Sequence, residues 1–557
     1  MNSLLLVAIS LAALWLAYRF YAGFLSKRLF GLDPSRRTPA HEYEDGIDYV
    51  PTRREILFGH HFASIAGTGP IVGPAIAVIW GWLPAVIWIL VGSIFMGAVH
   101  DFGSLVISIR HKGRSICEIS KWLVNAQVRT MLFLVIFFAL TIVIAIFCMI
   151  IAVIFDQYPQ AMFPVWLEVP IAIMLGYRFY RGSRAQSGMT IFLWSIVALV
   201  IMYVSIYIGI YVPFKVPSVF GISSLTIWVL VLLTYSYIAS TLPVWSLLQP
   251  RDYINAHELV VAMILLFVGV AVAHPVITAP AFNLQVIGAP QFIPFLFITI
   301  ACGAISGFHA LVGSGTSAKQ LDSEANARFI GYGGMIAEAV LAIIVIVCCT
   351  AGLGSFEAWS ERYGSWTAAN GLVAKVSAFV DGGSTFLVAL GISKKLALGI
   401  LGVFVASFAG TTLDTATRIQ RYVIAELASD HGVKPLANRH GATLFAVATA
   451  GALAFVQGGG QGALILWPLF GTTNQLLAGI AFLLITVYLA RRGLPTLYTM
   501  IPMAFMLVIT LWALVLNLRT YMLTRNWHLS VIGGCVLILA VWIVFETVTT
   551  LRRKSSA

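Results

Sequence analysis

The two histidines of FGHHFASIAGTGPIVGP, residues 58–74, stand just before Gly67, Gly69, Pro70, Gly73 and Pro74. Imidazole titrates near neutral pH and suits a proton relay. The glycines and prolines suit another task, because they interrupt a helix. Inside a bilayer an interruption frees N–H and C=O groups that lipid cannot satisfy. It survives only within protein or beside a watery cavity. A half-helix starting near Pro70 would turn its positive end toward a carboxylate. Pro70 fits that first turn, where its missing N–H costs nothing. Gly67, Thr68, Gly69 and Pro70 are therefore candidate solute-binding residues.

A second interrupted stretch, CGAISGFHALVGSGTSAK, covers 302–319. His309 precedes the glycines, and Ser314, Gly315, Thr316 and Ser317 offer hydroxyls and freed carbonyls for a solute or a cation. A third interruption falls at Pro243, within the apolar stretch 225–248. Glycine and serine also serve plain close packing of membrane helices, and that reading stays open beside the functional one.

Ionisable side chains in apolar segments are functional candidates by default. His60, His61, His100, Asp101 and Glu338 form the candidate coupling set, a proton relay. The bland alternative is buried histidines satisfied by hydrogen bonds. Asp414 and Arg418 are four residues apart on one helical stretch and read as a structural or gating ion pair. His60, His61, His100, Asp101 and His309 could in principle converge on a transition metal. Adjacent histidines seldom point the same way on a helix, so no metal site and no cofactor is expected, only a coupling ion, H+. The six cysteines, 117, 148, 302, 348, 349 and 535, show no CxxC spacing and read as small buried apolar residues.

The elements that must hold these groups are membrane helices. Of 557 residues, 60% are hydrophobic and only 10% charged, with a mean hydropathy of +0.93. A soluble chain of this size needs far more charge. A helix needs roughly 20 apolar residues to cross the hydrocarbon core, and the sequence offers about 15 such spans. The spans at 165–182 and 441–456 are short; the 353–393 segment reads as one long external loop. The N-terminal apolar run lacks a basic start and reads as a retained first span. With the N-terminus outside and the C-terminus inside, 27 of the 34 Lys and Arg residues fall at the cytoplasmic side, as the positive-inside rule requires. The net charge of +12 thus reflects topology, not nucleic-acid binding.

Five passages carry a resemblance to a known family. They are RRTPAHEYEDGIDYVPTRREILFGHHFASIAGTGPIVGP (36–74), GAVHDFGSLVISIRHKGRSI (97–116), LPVWSLLQPRDYIN (242–255), ISGFHALVGSGTSAKQL (305–321) and TTLDTATRIQRYVIAEL (411–427). The chain resembles the carbon starvation protein A (CstA) family. That resemblance implies a secondary transporter of the inner membrane with a five-plus-five inverted-repeat core and additional peripheral helices. It implies a peripheral segment 1–57, a core over 58–427 with breaks near 67–74, 243 and 306–317, and a four-span segment over 428–557. On that template the broken 58–78 span has 225–248, broken at Pro243, as its inverted partner. The implied solute is pyruvate, taken up with a proton, or a short peptide.

Other classes fit worse. HExxH is absent, since His41-Glu42 and His257-Glu258 lack the second histidine, and no Gly-Lys pair exists for a phosphate-binding loop. An enzyme or an ATP-driven pump is not expected. A channel needs no solute-driven closure, and helices this broken argue against one. Oligomeric state is not legible.

Overall fold

The computed structural model describes residues 2–181, 188–369, 371–456 and 466–555. Among these the chain is helical, with only isolated bridge pairs outside the helices. In chain order the helices are α1 (Ser3–Leu29), α2 (Arg54–Ala66), α3 (Gly69–Trp80), α4 (Trp82–Arg110), α5 (Ala126–Gln157) and α6 (Pro159–Phe179). There follow α7 (Phe192–Tyr211), α8 (Ser224–Thr241) and α9 (Leu248–Ala273). Then come three short pieces, α10 (Phe292–Thr299), α11 (Ala301–Ala304) and α12 (Gly307–Gly315). The remaining long helices are α13 (Glu324–Thr350), α14 (Leu372–Ala389), α15 (Lys394–Asp430), α16 (Arg439–Phe455), α17 (Trp467–Arg491), α18 (Leu497–Leu523) and α19 (Trp527–Arg552); further short helices, among them Ile116–Leu123 and Phe356–Tyr363, lie in the connections. Short polar side chains start several of them. Asn125 accepts from Val128 N–H, and Ser223, Ser393 and Asn438 cap α8, α15 and α16 in the same way.

Among the described residues twelve helices are long and apolar enough to cross a membrane, and the bent pair α2–α3 makes up to thirteen. The difference from about 15 has two sources. The 292–318 span is broken into α10, α11 and α12, and α16 has 17 residues among those described. The segment 353–393 is not the loop expected. It contains α14, which packs on α9 and α13 so tightly that a Cβ on Gly382 would overlap the Cys348 carbonyl. A Cβ on Gly269 would lie 2.5 Å from Phe386 O. The sequence of this helix does not read as a span because glycine, serine, Lys375 and Asp381 dilute its apolar run.

Burial sorts the bundle. In α5, α15 and α17 some 83–89% of the apolar window is inside protein; in α1 and α19 it is 28%. The first three are core helices and the last two present their apolar sides to lipid. Connections gather on two opposite faces. On one, Thr52 pairs with Leu321, Val244 N–H donates to Ile47, and Arg129 pairs with Asp430. Most of the Lys and Arg of the connections lie here, so it is the cationic face. On the other, Asn2 pairs with Val276, Trp82 N–H donates to Pro280, and Ile287 pairs with Ser365.

Candidate functional site between two broken helices

The first break lies where the sequence placed it. Gly67 adopts φ +36°, a conformation that disfavours any side chain, and a Cβ there would lie 2.5 Å from Thr412 Oγ1. The chain restarts as α3 at Gly69–Pro70, bent 41° from α2. The freed Ser64 carbonyl accepts from Thr412 Oγ1 of α15 at 3.2 Å. Thr68 Oγ1 is buried and has no hydrogen-bond partner among the described residues.

The second break falls at Ile305–Ser306, between α11 and α12, with both residues extended. Its cap comes from far along the chain. Asn474 of α17 accepts from Phe308 N–H at 2.9 Å and from Ser306 Oγ at 3.2 Å. The two breaks touch: a Cβ on Gly69 would overlap Cys302, and Gly303 lies against Pro70 and Pro74. Between them is a cavity of about 20 Å³ bounded by Gly67, Gly69, Cys302, Ser306, Thr412 and neighbouring aromatic rings. That is room for one water, so this is a closed conformation. Toward the face opposite the cationic one, a pocket of about 570 Å³ lies among Gly288–Gln291, Thr299, Trp366, Trp467 and Arg519. Phe470 borders the small cavity and Gly471 the large one, so one layer of α17 separates them.

Two buried polar networks flank the breaks. The first centres on Asp101 of α4. Its two oxygens meet His100 Nδ1 and His309 Nδ1, each at 2.8 Å. His309 Nε2 then lies 3.2 Å from Glu338 Oε2 of α13. All four side chains are fully buried. An ionised Asp101 accepts from both Nδ1–H groups, which leaves a lone pair on Nε2 of a neutral His309. A lone pair facing a carboxylate oxygen is repulsive, so one proton belongs between His309 and Glu338.

The second network centres on Arg251 of α9. Its Nη1 donates to Asp414 Oδ2 at 2.5 Å and to Tyr235 OH at 2.7 Å, and its Nε lies 3.4 Å from Glu168 Oε1. Next to it, His60 Nδ1 meets Asp252 Oδ2 at 2.5 Å, and Ser64 links Asp252 to Thr415 of α15.

The candidate residues are therefore divided rather than gathered. His60 and His61, one helical step apart, face different ways: His60 to Asp252, His61 to Ser317 Oγ at 2.8 Å. Asp414 and Arg418 do not form the expected pair. Asp414 is held by Arg251 and Tyr235, whereas Arg418 donates to Asp48 at 2.9 Å and to the Leu242 carbonyl. Partners from distant parts of the chain outcompete a neighbour on the same helix. Pro243 lies in the α8–α9 connection at the cationic face, where Trp245 Nε1 donates to Gly46 O. The break that meets Gly67–Pro70 is Cys302–Ser306 instead. Ser314 and Thr316 donate to Ala310 O and Val312 O of their own helix, and Ser314 and Gly315 line a different cavity.

Sequence reasoning missed Glu168, Arg251, Asp252, Thr412 and Asn474. The rule for intramembrane ionisable groups reaches Glu168, inside an apolar span. Asn474 carried a weaker signal, a polar GTTNQ run opening an apolar helix. Among the described residues no group of three or more His, Cys, Asp or Glu is placed to hold a metal ion.

The sequence model of the family described as "Carbon starvation protein CstA" matches residues 2–358 and 355–513. The chain belongs to that family. Its relatives include the protein named Peptide transporter CstA of Campylobacter jejuni, 34% identical over 93% of this chain and 81% of the relative. The Bacillus subtilis protein of the same name is 31% identical over 100% of this chain and 97% of its own length. The Escherichia coli protein named Pyruvate/proton symporter BtsT is 33% identical over 93% of this chain and 82% of its own. Membership thus covers the two breaks, both networks and α17 alike.

Proposed function

We propose that this CstA-family protein is a proton-coupled secondary transporter that imports a small carboxylate such as pyruvate across the cytoplasmic membrane. The observation that carries the reading is the Glu338–His309–Asp101–His100 chain, which needs a proton between His309 and Glu338 and lies beside the second break. The half-helix starting at Gly69 supplies a positive end for the carboxylate. H+ is the coupling ion. The cationic face is cytoplasmic, the N-terminus is outside and the C-terminus is inside. The large pocket is then the outer vestibule, where Arg519 favours anions.

Transport follows from alternating access. A carboxylate enters the vestibule and a proton enters the His309–Glu338 pair. The α17 layer and the broken helices shift, the solute reaches the breaks, and the cationic face opens. Coupling requires that solute binding favour the protonated pair and that release toward the cytoplasm let the proton go.

A second reading is a short-peptide carrier. The roughly 570 Å³ of the vestibule suits it, as do the names of several relatives. Uptake of labelled pyruvate into proteoliposomes under an imposed pH gradient, with dipeptide as competitor, separates the two. Accumulation untouched by dipeptide supports the symporter; uptake of labelled dipeptide without pyruvate uptake replaces it. Gly69→Leu, which drives a side chain into Cys302, should abolish uptake while the protein still inserts. Normal uptake by that variant would place the site elsewhere.

A further inference from the structure

Beneath α12, at the cationic face, lies a cavity of about 100 Å³ that the proposed transport cycle does not use. That is room for a few waters or a solute of similar bulk. Leu311 and Ser314 of α12 form part of its wall, which also carries the charged residues Lys319, Glu426, Arg114 and Glu118.

One charge is Lys319, at the end of the turn that follows α12. Its ammonium sits over the Tyr422 ring at 4.4 Å and the Tyr49 ring at 5.4 Å. No carboxylate of the described residues lies within 4 Å of it. Burial opposes its charge, but Tyr422, Asp48, Tyr49 and Glu426 more than offset this and raise its proton affinity. It is therefore a cation with aromatic walls, drawn toward Asp48 and Glu426 but in no contact ion pair among the described residues.

A second charge is Glu426 of α15. Its Oε2 is closed off from solvent and has no hydrogen-bond partner among the described residues. The neighbouring carboxylates are already engaged. Glu118 accepts from Arg129 Nε at 2.5 Å; Arg114, its guanidinium 5.5 Å over the Trp122 ring, is a second cation in the lining. Asp48 is taken up by Arg418 at 2.9 Å and by the Tyr422 hydroxyl at 2.6 Å.

A small cavity lined by an ammonium and a carboxylate, neither of them in a contact ion pair among the described residues, matches a molecule carrying both charges. We propose that this cavity is a binding site for a small zwitterion, an α-amino acid of the bulk of glycine or alanine, reached from the cationic face. The solute carboxylate meets Lys319 between the two tyrosine rings, and its ammonium meets Glu426. A plain carboxylate satisfies only Lys319 and brings like charge to Glu426, so it is rejected. The site is separate from the two breaks and does not depend on what they carry.

Equilibrium binding of radiolabelled glycine to the purified full chain in lipid nanodiscs tests this without any transport readout. Wild type should bind glycine saturably, displaced by alanine but at least tenfold less well by acetate or methylamine. Glu426→Gln, which keeps the shape, should weaken glycine at least tenfold and bring acetate up to match it. Lys319→Met should lose both ligands. Size-exclusion profiles and melting curves establish that each variant is folded, and the near-isosteric Glu426→Gln is decisive if Lys319→Met is not. Absence of saturable glycine binding by wild type overturns the proposal. So does glycine binding that Glu426→Gln leaves unchanged, or acetate that competes as well as glycine.

Discussion

Around Asp101 the partners are two histidines, one of which faces a second acid; around Arg251 they are two carboxylates and a tyrosine gathered on a cation that keeps its charge. Both networks are buried, and both lie beside a helix break. The difference is in what settles their charge. Arg251 stays protonated at any relevant pH and supplies the fixed positive charge that Glu168 and Asp414 face. No Lys or Arg of the described residues pairs with Asp101 or Glu338, so a mobile proton must do so. A network fixed by a guanidinium suits holding helices α6, α9 and α15 together. One fixed by a proton suits gaining and losing it during a cycle.

Arg251→Leu should break the fixed network with the largest effect. It leaves Glu168 and Asp414 buried without a cation, at a cost of about 3–5 kcal/mol. The expected readout is loss of monodisperse protein or a large fall in melting temperature. Arg251→Lys should not rescue it, because one ammonium cannot serve Asp414, Tyr235 and Glu168 from the places the guanidinium does. A stable, active Arg251→Leu protein would dissolve the contrast.

Asp48, in the connection before α2, offers an intermediate case at the water boundary. Burial pushes its carboxyl up, but Arg418, Lys319, Tyr422 and Arg421 together hold it below the usual carboxylate range. Its stabilisation is therefore complete above the ordinary carboxylate value of about 3.9. It fades as pH falls through the lower value of the folded protein. Asp48→Asn should cost about 1–2 kcal/mol at neutral pH. The gap in melting temperature from wild type should shrink only in strong acid.

Glu338→Gln should be the mildest for stability, within about 1 kcal/mol. Gln can stand where a protonated carboxyl stands, so a proton-settled pair tolerates it. A large destabilisation would show that Glu338 is needed as an anion and would make the two networks alike.

Much of this was legible in the sequence. The apolar spans, the break at Gly67–Pro70 and the burial of His309, Asp101 and Glu338 follow from residue type and depth in an apolar run. Partnership was not legible. Asp414 and Arg418 share a helix face at helical spacing, yet Arg251, 163 positions away from Asp414, takes one of them. Asn474 caps a break 168 positions earlier at Ser306. Periodicity reports which residues are buried, not which helix lies against them. The helix α14 escaped for a related reason: its glycines allow close backbone packing and lower the apolar signal together.

The most direct test of the central claim follows labelled pyruvate and internal pH in the same proteoliposomes, for wild type and Glu338→Gln. With a proton carried by the His309–Glu338 pair, wild type should acidify the lumen as pyruvate enters and concentrate pyruvate under a pH gradient. Glu338→Gln should keep pyruvate exchange across equal pH and lose both acidification and concentration. Acidification and gradient-driven concentration intact in Glu338→Gln would contradict the account.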